Sequence, residues 1–160
     1  MNTLLFTLIL ALSVTCLPVV NGPIASSLGN TPYRMAMSKD ARLIVLTFAT
    51  SKNAEVFQNN GYGFEFNQSI PNTVGCYDLA MTEYGTYIYF NKFYAKRVMV
   101  FKRIDGNYEF FQNVSNPQLL SSVHSSLDGE YLITGSLYGL IRIFKLTDQY
   151  TLIQAIYAFS

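Results

Sequence analysis

The sequence predicts an all-β fold assembled from consecutive four-stranded units, and three observations carry that prediction. The octapeptide that begins at Met37 recurs at Met81 and again at Ser125, each copy 44 residues after the last. Within each period, short apolar runs alternate with polar residues, the two-residue rhythm of strands with one buried face. A small residue stands at the same bend in every copy, Ala41, Gly85 or Gly129, where a positive φ costs least for glycine. A fixed period of about 40–45 residues filled with short strands is the pattern of β-propeller blades. The fold class expected is therefore a partial β-propeller of about three four-stranded antiparallel blades, preceded by an N-terminal signal peptide.

The elements follow in chain order. Residues 4–20 carry no charge and are dominated by Leu, Ile, Val and Phe, with Pro18 and Gly22 breaking the run. This reads as a secretory signal over residues 1–22, although the n-region lacks Lys and Arg. An uncleaved anchor and a buried strand are the competing readings. The propeller segment is expected over 23–160, with blades at about 33–75, 76–119 and 120–160. The first strand of each blade is expected at 33–37, 77–81 and 121–125, and the second at 43–48, 87–90 and 131–134. The third is expected at 54–58, 97–103 and 140–146, and the fourth at 64–66, 108–110 and 150–152. Gln68, Gln112 and Gln154 stand in register at the ends of the fourth strands. Phe57, Phe101 and Phe144 close the third strands, where they are expected to fill the core between adjacent blades.

Composition excludes several roles. Half the chain is hydrophobic, which provides for a packed core rather than disorder. The formal net charge is +1, so no global field recruits nucleic acid or an anionic membrane. Once the signal is removed, no stable membrane insertion is expected. Cys16 lies in the signal segment, which leaves Cys76 alone in the mature chain and rules out an intrachain disulfide. Its expected state is a buried, inert thiol, with an intermolecular disulfide as the other reading. The triplets that begin at Asn67 and Asn113 are N-glycosylation acceptors and agree with secretion.

Chemistry is sparse. The chain has no phosphate-cradling glycine loop, no nucleophile elbow and no zinc-binding helix motif. Neither catalytic residues nor a metal site nor a cofactor is expected. His124, the single histidine, falls on a predicted innermost strand, as does Asp78, and the two are candidates to line a channel. Lys52, Lys92, Phe93, Tyr94, Lys96 and Arg97 fall in the loops that join second and third strands, and so on one face of the disc. Basic loops with aromatics suit an acidic partner or a glycan.

Residues 126–144 carry a family likeness. An Asp128-Gly129 turn leads into a strand that ends at Gly135-Ser136, and the next strand closes on Phe144-Lys145. This resembles a WD-repeat blade, with Phe-Lys where that family has Trp-Asp. Phe101-Lys102 and Phe57-Gln58 stand at the matching places of the earlier copies. The family's Gly-His pair is missing, and Tyr138 replaces the usual acidic turn residue, so the His–Asp network that braces such blades cannot be assembled. The resemblance implies a binding module or scaffold. The functional expectation is a secreted or luminal, non-enzymatic propeller segment that binds protein or glycan. The alternative is a fragment or subunit of a propeller enzyme, quinoprotein-like or lactonase-like. Closed propellers have four to eight blades, so three leave open sheet faces, and a homo-oligomer that completes the ring is a further expectation.

Overall fold

The computed structural model describes residues 32–48 and 52–158, so the expected signal segment lies outside the described residues. Twelve strands form three four-stranded antiparallel sheets. The first sheet holds β1 (Pro32–Met37), β2 (Leu43–Phe48), β3 (Ala54–Asn59) and β4 (Phe64–Ile70). The second holds β5 (Asp78–Met81), β6 (Tyr87–Lys92), β7 (Arg97–Ile104) and β8 (Asn107–Ser115). The third holds β9 (Leu120–Ser125), β10 (Tyr131–Ser136), β11 (Leu140–Leu146) and β12 (Tyr150–Tyr157). In each sheet the strands are hydrogen-bonded in chain order. The all-β, propeller-type expectation is met.

The β1–β2 bend and its two equivalents are built as the repeat predicts. Ala41, Gly85 and Gly129 take φ of 53°, 70° and 81°. The Ser38 hydroxyl accepts from the Leu43 N–H at 3.0 Å, and Thr82 and Ser126 do the same for Tyr87 and Tyr131 at 2.9 Å. Ser38 and Ser126 also donate to Asp40 and Asp128, which holds both carboxyls below their ordinary range. At Gly85 a Cβ would stand 2.5 Å from Leu43 Cδ1, so even a methyl group has no room.

The outer strands run well past the expected three residues, to seven in β4, nine in β8 and eight in β12. Each contains a β-bulge at the same place. The register shifts between Val56 and Phe57, Val100 and Phe101, and Ile143 and Phe144, leaving Asn67, Phe111 and Ile153 as the extra residues. The bulge reverses the alternation downstream, which hides these strands from a strict two-residue pattern. At Phe111 it also redirects the ring onto Tyr87, with centroids 5.7 Å apart.

Apolar residues fill both junctions between sheets. Leu43, Val45, Val56 and Ile70 of the first sheet meet Ile88, Phe90, Met99 and Phe101 of the second. Tyr87, Tyr89, Val98, Val100 and Val114 of the second meet Leu120, Val123, Leu132 and Phe144 of the third. Phe101 and Phe144 are thus core residues that face the preceding sheet, as expected. Phe57 faces the same way and is buried with Ile44, Leu46 and Phe48 on the far side of the first sheet. Cys76 is buried in the first junction, where desolvation pushes its thiol up to about 12.

Polar clasps repeat across the junctions. Gln68 accepts from the Tyr108 N–H at 2.7 Å and donates to its carbonyl at 2.9 Å. Gln112 treats Tyr150 alike, at 2.7 and 3.1 Å. The hydroxyls of Tyr108 and Tyr150 then donate to the carbonyls of Gly85 and Gly129. Between the bends runs a main-chain ladder: the Lys39 N–H donates to the Glu83 carbonyl, and the Glu83 N–H to the Leu127 carbonyl, each at 2.8 Å.

Candidate functional site: the basic, aromatic end of the second sheet

The hairpin between β6 and β7 is a tight turn in which the Lys96 N–H donates to the Phe93 carbonyl at 3.1 Å. Lys96 sits there at a φ of 50°. The Asn116 N–H donates to the Lys96 carbonyl at 2.7 Å, which ties the turn to the link between the second and third sheets. This anchoring presents Phe93 and Tyr94 outward, with Tyr94 76% exposed. Their rings lie 5.0 Å apart, edge to face. Tyr77 meets both, at 5.3 Å from Phe93 and 5.9 Å from Tyr94, and Tyr33 packs on Tyr77 at 5.9 Å. Four aromatic rings therefore form one solvent-facing cluster. A hydrogen bond with the Tyr94 hydroxyl pushes the Tyr77 hydroxyl above its ordinary value.

Cations border the cluster. Lys92, Lys96 and Arg97 flank the turn, and among the described residues none of them has an acidic partner. The Lys92 ammonium donates to the Val74 carbonyl at 2.7 Å. The Arg34 guanidinium lies over Tyr33 at 4.7 Å and beside Asp78 at 3.7 Å. Lys52, from the same set of loops, is engaged elsewhere. It pairs with Glu55 at 2.7 Å and lies over the Phe48 ring on the first sheet.

Beside the turn, a cleft of about 650 Å³ opens at the junction of the first two sheets. Lys92, Arg97, Asn72 and Asn113 give it a polar wall, and Met99 and Phe101 an apolar one. Arg97 Nε is buried without a hydrogen-bond partner among the described residues. The volume lies in the range of small-ligand sites. Asn113 and Asn67, the two glycosylation candidates, are both exposed on outer strands, with Asn113 at the cleft and Asn67 in β4.

Asp78 and His124 have separate surroundings. Asp78 pairs with Asn91 across β5–β6, and its carboxylate accepts from the Val123 N–H at 2.9 Å inside the second junction. His124 pairs with Ile133 across β9–β10 and lies exposed on the outer face of the third sheet. No hydrogen bond or ion pair joins the two. Among the described residues, no group of three His, Cys, Asp or Glu side chains is arranged to hold a metal ion. Sequence reasoning missed Tyr33 and Tyr77, which it had placed in inner strands. The signal that marks them is their position: each opens the first strand of its repeat, at the same end as the Phe93-Tyr94 turn.

No protein-family model matches the chain, and no curated protein matches it. Solved structures do, with the all-β propeller-type fold as the common feature. Hydrazine synthase of Kuenenia stuttgartiensis superposes with a TM-score of 0.66 at 15% identity, covering 86% of this chain and 40% of that one. A Bacteroides uniformis protein assigned as a 6-phosphogluconolactonase gives 0.64 at 19% identity, covering 87% and 45%. Sqt1 of Saccharomyces cerevisiae gives 0.67 at 7% identity, covering 81% and 36%. The chain spans less than half the length of each. Likeness at these identities establishes the fold; function has to be argued from the site.

Proposed function

We propose that this propeller segment is a non-enzymatic binding module whose basic, aromatic end holds an acidic partner. One observation carries the reading: Tyr33, Tyr77, Phe93 and Tyr94 form an outward cluster bordered by Lys92, Lys96 and Arg97, which lack acidic partners among the described residues. Aromatic residues and Arg are enriched where protein surfaces bind, and the two lysines at the margin add charge complementarity to an acidic partner. An acidic polypeptide suits the cluster: carboxylates reach the three cations while apolar side chains rest on the rings. General acid–base catalysis has no support here, because Asp78 is committed to Val123 and His124 stands apart.

A titration with a glutamate-rich peptide tests the proposal. Binding should weaken as salt rises, and the double substitution Tyr94→Ala with Lys96→Gln should weaken it at least tenfold. Absence of binding, or indifference to those substitutions, overturns it. Binding of a uronate polysaccharide but not of the peptide would move the reading to a glycan. The proposal includes a location, the secretory lumen or the cell exterior, supported by the uncharged run at 4–20 and the exposed acceptor asparagines Asn67 and Asn113. Mass spectrometry of the secreted chain should find a new N-terminus between about residues 17 and 27, the range of a cleaved signal. An intact Met1 in a soluble cytosolic pool contradicts that location.

A further inference from the structure

Two cations stand side by side at the cleft between the first two sheets. Lys92 and Arg97 are direct partners across β6 and β7, so both side chains leave the face that Met99 turns toward the first sheet. Like charges directly opposite in an antiparallel pair are destabilising. None of the described carboxylates pairs with either cation to offset this. The Lys92 ammonium spends one of its three donors on the Val74 carbonyl. Arg97 lines the cleft, and its buried Nε makes no hydrogen bond among the described residues. A buried donor left unpaired costs stability. A single bound anion relieves both the repulsion and the unpaired donor. The register extends the site along the same face, through the pairs Met99–Asn113 and Phe101–Phe110. Phe110 is 55% exposed, with its ring set edge-on to Phe101 at 5.8 Å. Val74, also exposed, adds to the apolar part of the lining from the link between the sheets. The side-chain amides of Asn72 and Asn113 line the cleft and bond to no other described residue.

We propose that this cleft binds a small organic carboxylate with an apolar body. The carboxylate bridges Arg97 and Lys92, and the body lies against Phe110 and Val74. This ligand is distinct from the acidic polypeptide proposed above, and the two sites have only Lys92 and Arg97 in common. A guanidinium offers Nε and one Nη as parallel donors, a fork that a planar carboxylate matches with two bonds. The Lys92 ammonium, with two donors unspent, supplies the second positive charge. A bare carboxylate leaves Phe110 and Val74 in water, so the apolar body belongs to the ligand class. An apolar wall with a few placed polar groups, in a cleft of about 650 Å³, is the usual build of a small-ligand site. Asn72 and Asn113 leave amide donors and acceptors for a polar substituent on that body.

An NMR titration of the isotope-labelled chain with 3-phenylpropionate tests this, on protein made without N-glycans so that Asn113 stays bare. Amide shifts at Arg97, Phe110 and Asn113 should saturate with a Kd of about 1 mM or tighter, as for other fragment-sized ligands. The neutral 3-phenylpropanamide and the ringless acetate should each bind at least tenfold more weakly. Arg97→Gln should raise the Kd at least tenfold without lowering Tm, because it also removes the like-charge pair; a purely structural Arg97 would lower Tm instead. Lys92→Gln should raise the Kd at least fivefold, and if one of these variants loses its fold the other decides. Phe110→Ser, at an exposed ring, should weaken the acid at least fivefold and leave the affinity for the glutamate-rich peptide unchanged, so this proposal and the polypeptide reading fail separately. Three results overturn the proposal: no saturable shifts, an amide that binds as well as the acid, and an affinity indifferent to both Arg97→Gln and Lys92→Gln.

Discussion

Replacing Gln112 by Ala removes a clasp between sheets while deleting almost no apolar surface. Two hydrogen bonds are lost, from the Tyr150 N–H at 2.7 Å and to its carbonyl at 3.1 Å. Each contributes about 1 kcal/mol net, and a half-buried main-chain group left unpaired adds to that, so the expected loss is about 2–3 kcal/mol. In a chain of this size each kcal/mol lowers Tm by about 2–4 °C, so Tm should fall by at least ~4 °C. Urea unfolding is the assay, followed by tyrosine fluorescence since the chain has no tryptophan. The midpoint should move without a change in slope. The repeat supplies its own controls. Gln68→Ala breaks the equivalent clasp on Tyr108 and should cost a similar amount. Gln154→Ala, at an exposed position with no clasp among the described residues, should stay within about 0.5 kcal/mol, as for a surface site. Equal losses at Gln112 and Gln154, or a loss at Gln112 below about 0.5 kcal/mol, would refute the clasp as the source of stability between sheets.

Two further outcomes follow from the core. Phe144→Ala should cost roughly 3–5 kcal/mol in the same assay, because the ring is 4% exposed in the second junction; a loss under about 1 kcal/mol would contradict its burial. Alkaline pH should destabilise the fold. Burial raises Cys76 and Tyr150 to about 12 and pushes Tyr89 and Tyr108 above their ordinary value. In each case the folded pKa exceeds the unfolded one. The stabilisation is therefore complete below about pH 9 and is lost as pH rises through about 12. A urea midpoint that stays flat from pH 8 to 12 would refute this.

Most of the fold was legible because it is periodic: one blade, once recognised, locates the other two. The inner three strands of each sheet fall within a few residues of their expected bounds, since their apolar runs recur at a fixed spacing and are recognisable without a strict two-residue alternation. The outer strands were underestimated because the bulges at Asn67, Phe111 and Ile153 break that alternation while main-chain pairing continues. The candidate site was half legible. The turn from Lys92 to Arg97 stands out as a basic, aromatic loop in one repeat. The partnership of Tyr33 and Tyr77 with that turn depends on how two sheets lie side by side, which no single strand encodes. Asp78 and His124 do share a side of their respective sheets, as the two-residue rhythm implies. That side faces a different neighbour in each sheet, however, and the rhythm carries no information about which.

The ladder from Lys39 through Glu83 to Leu127 is made of peptide groups alone. A bond of that kind places no demand on the identity of the side chains beside it. The relative height of successive sheets is therefore maintained whichever residues occupy those bends, and here Lys, Glu and Leu take the role in turn. Side chains at those bends are thereby left free to differ from one repeat to the next without cost to the alignment. An architecture whose alignment is written in the main chain can keep its shape across very different sequences. Superposition recovers such a fold at identities of 7–19%, where residue-by-residue comparison carries little of it.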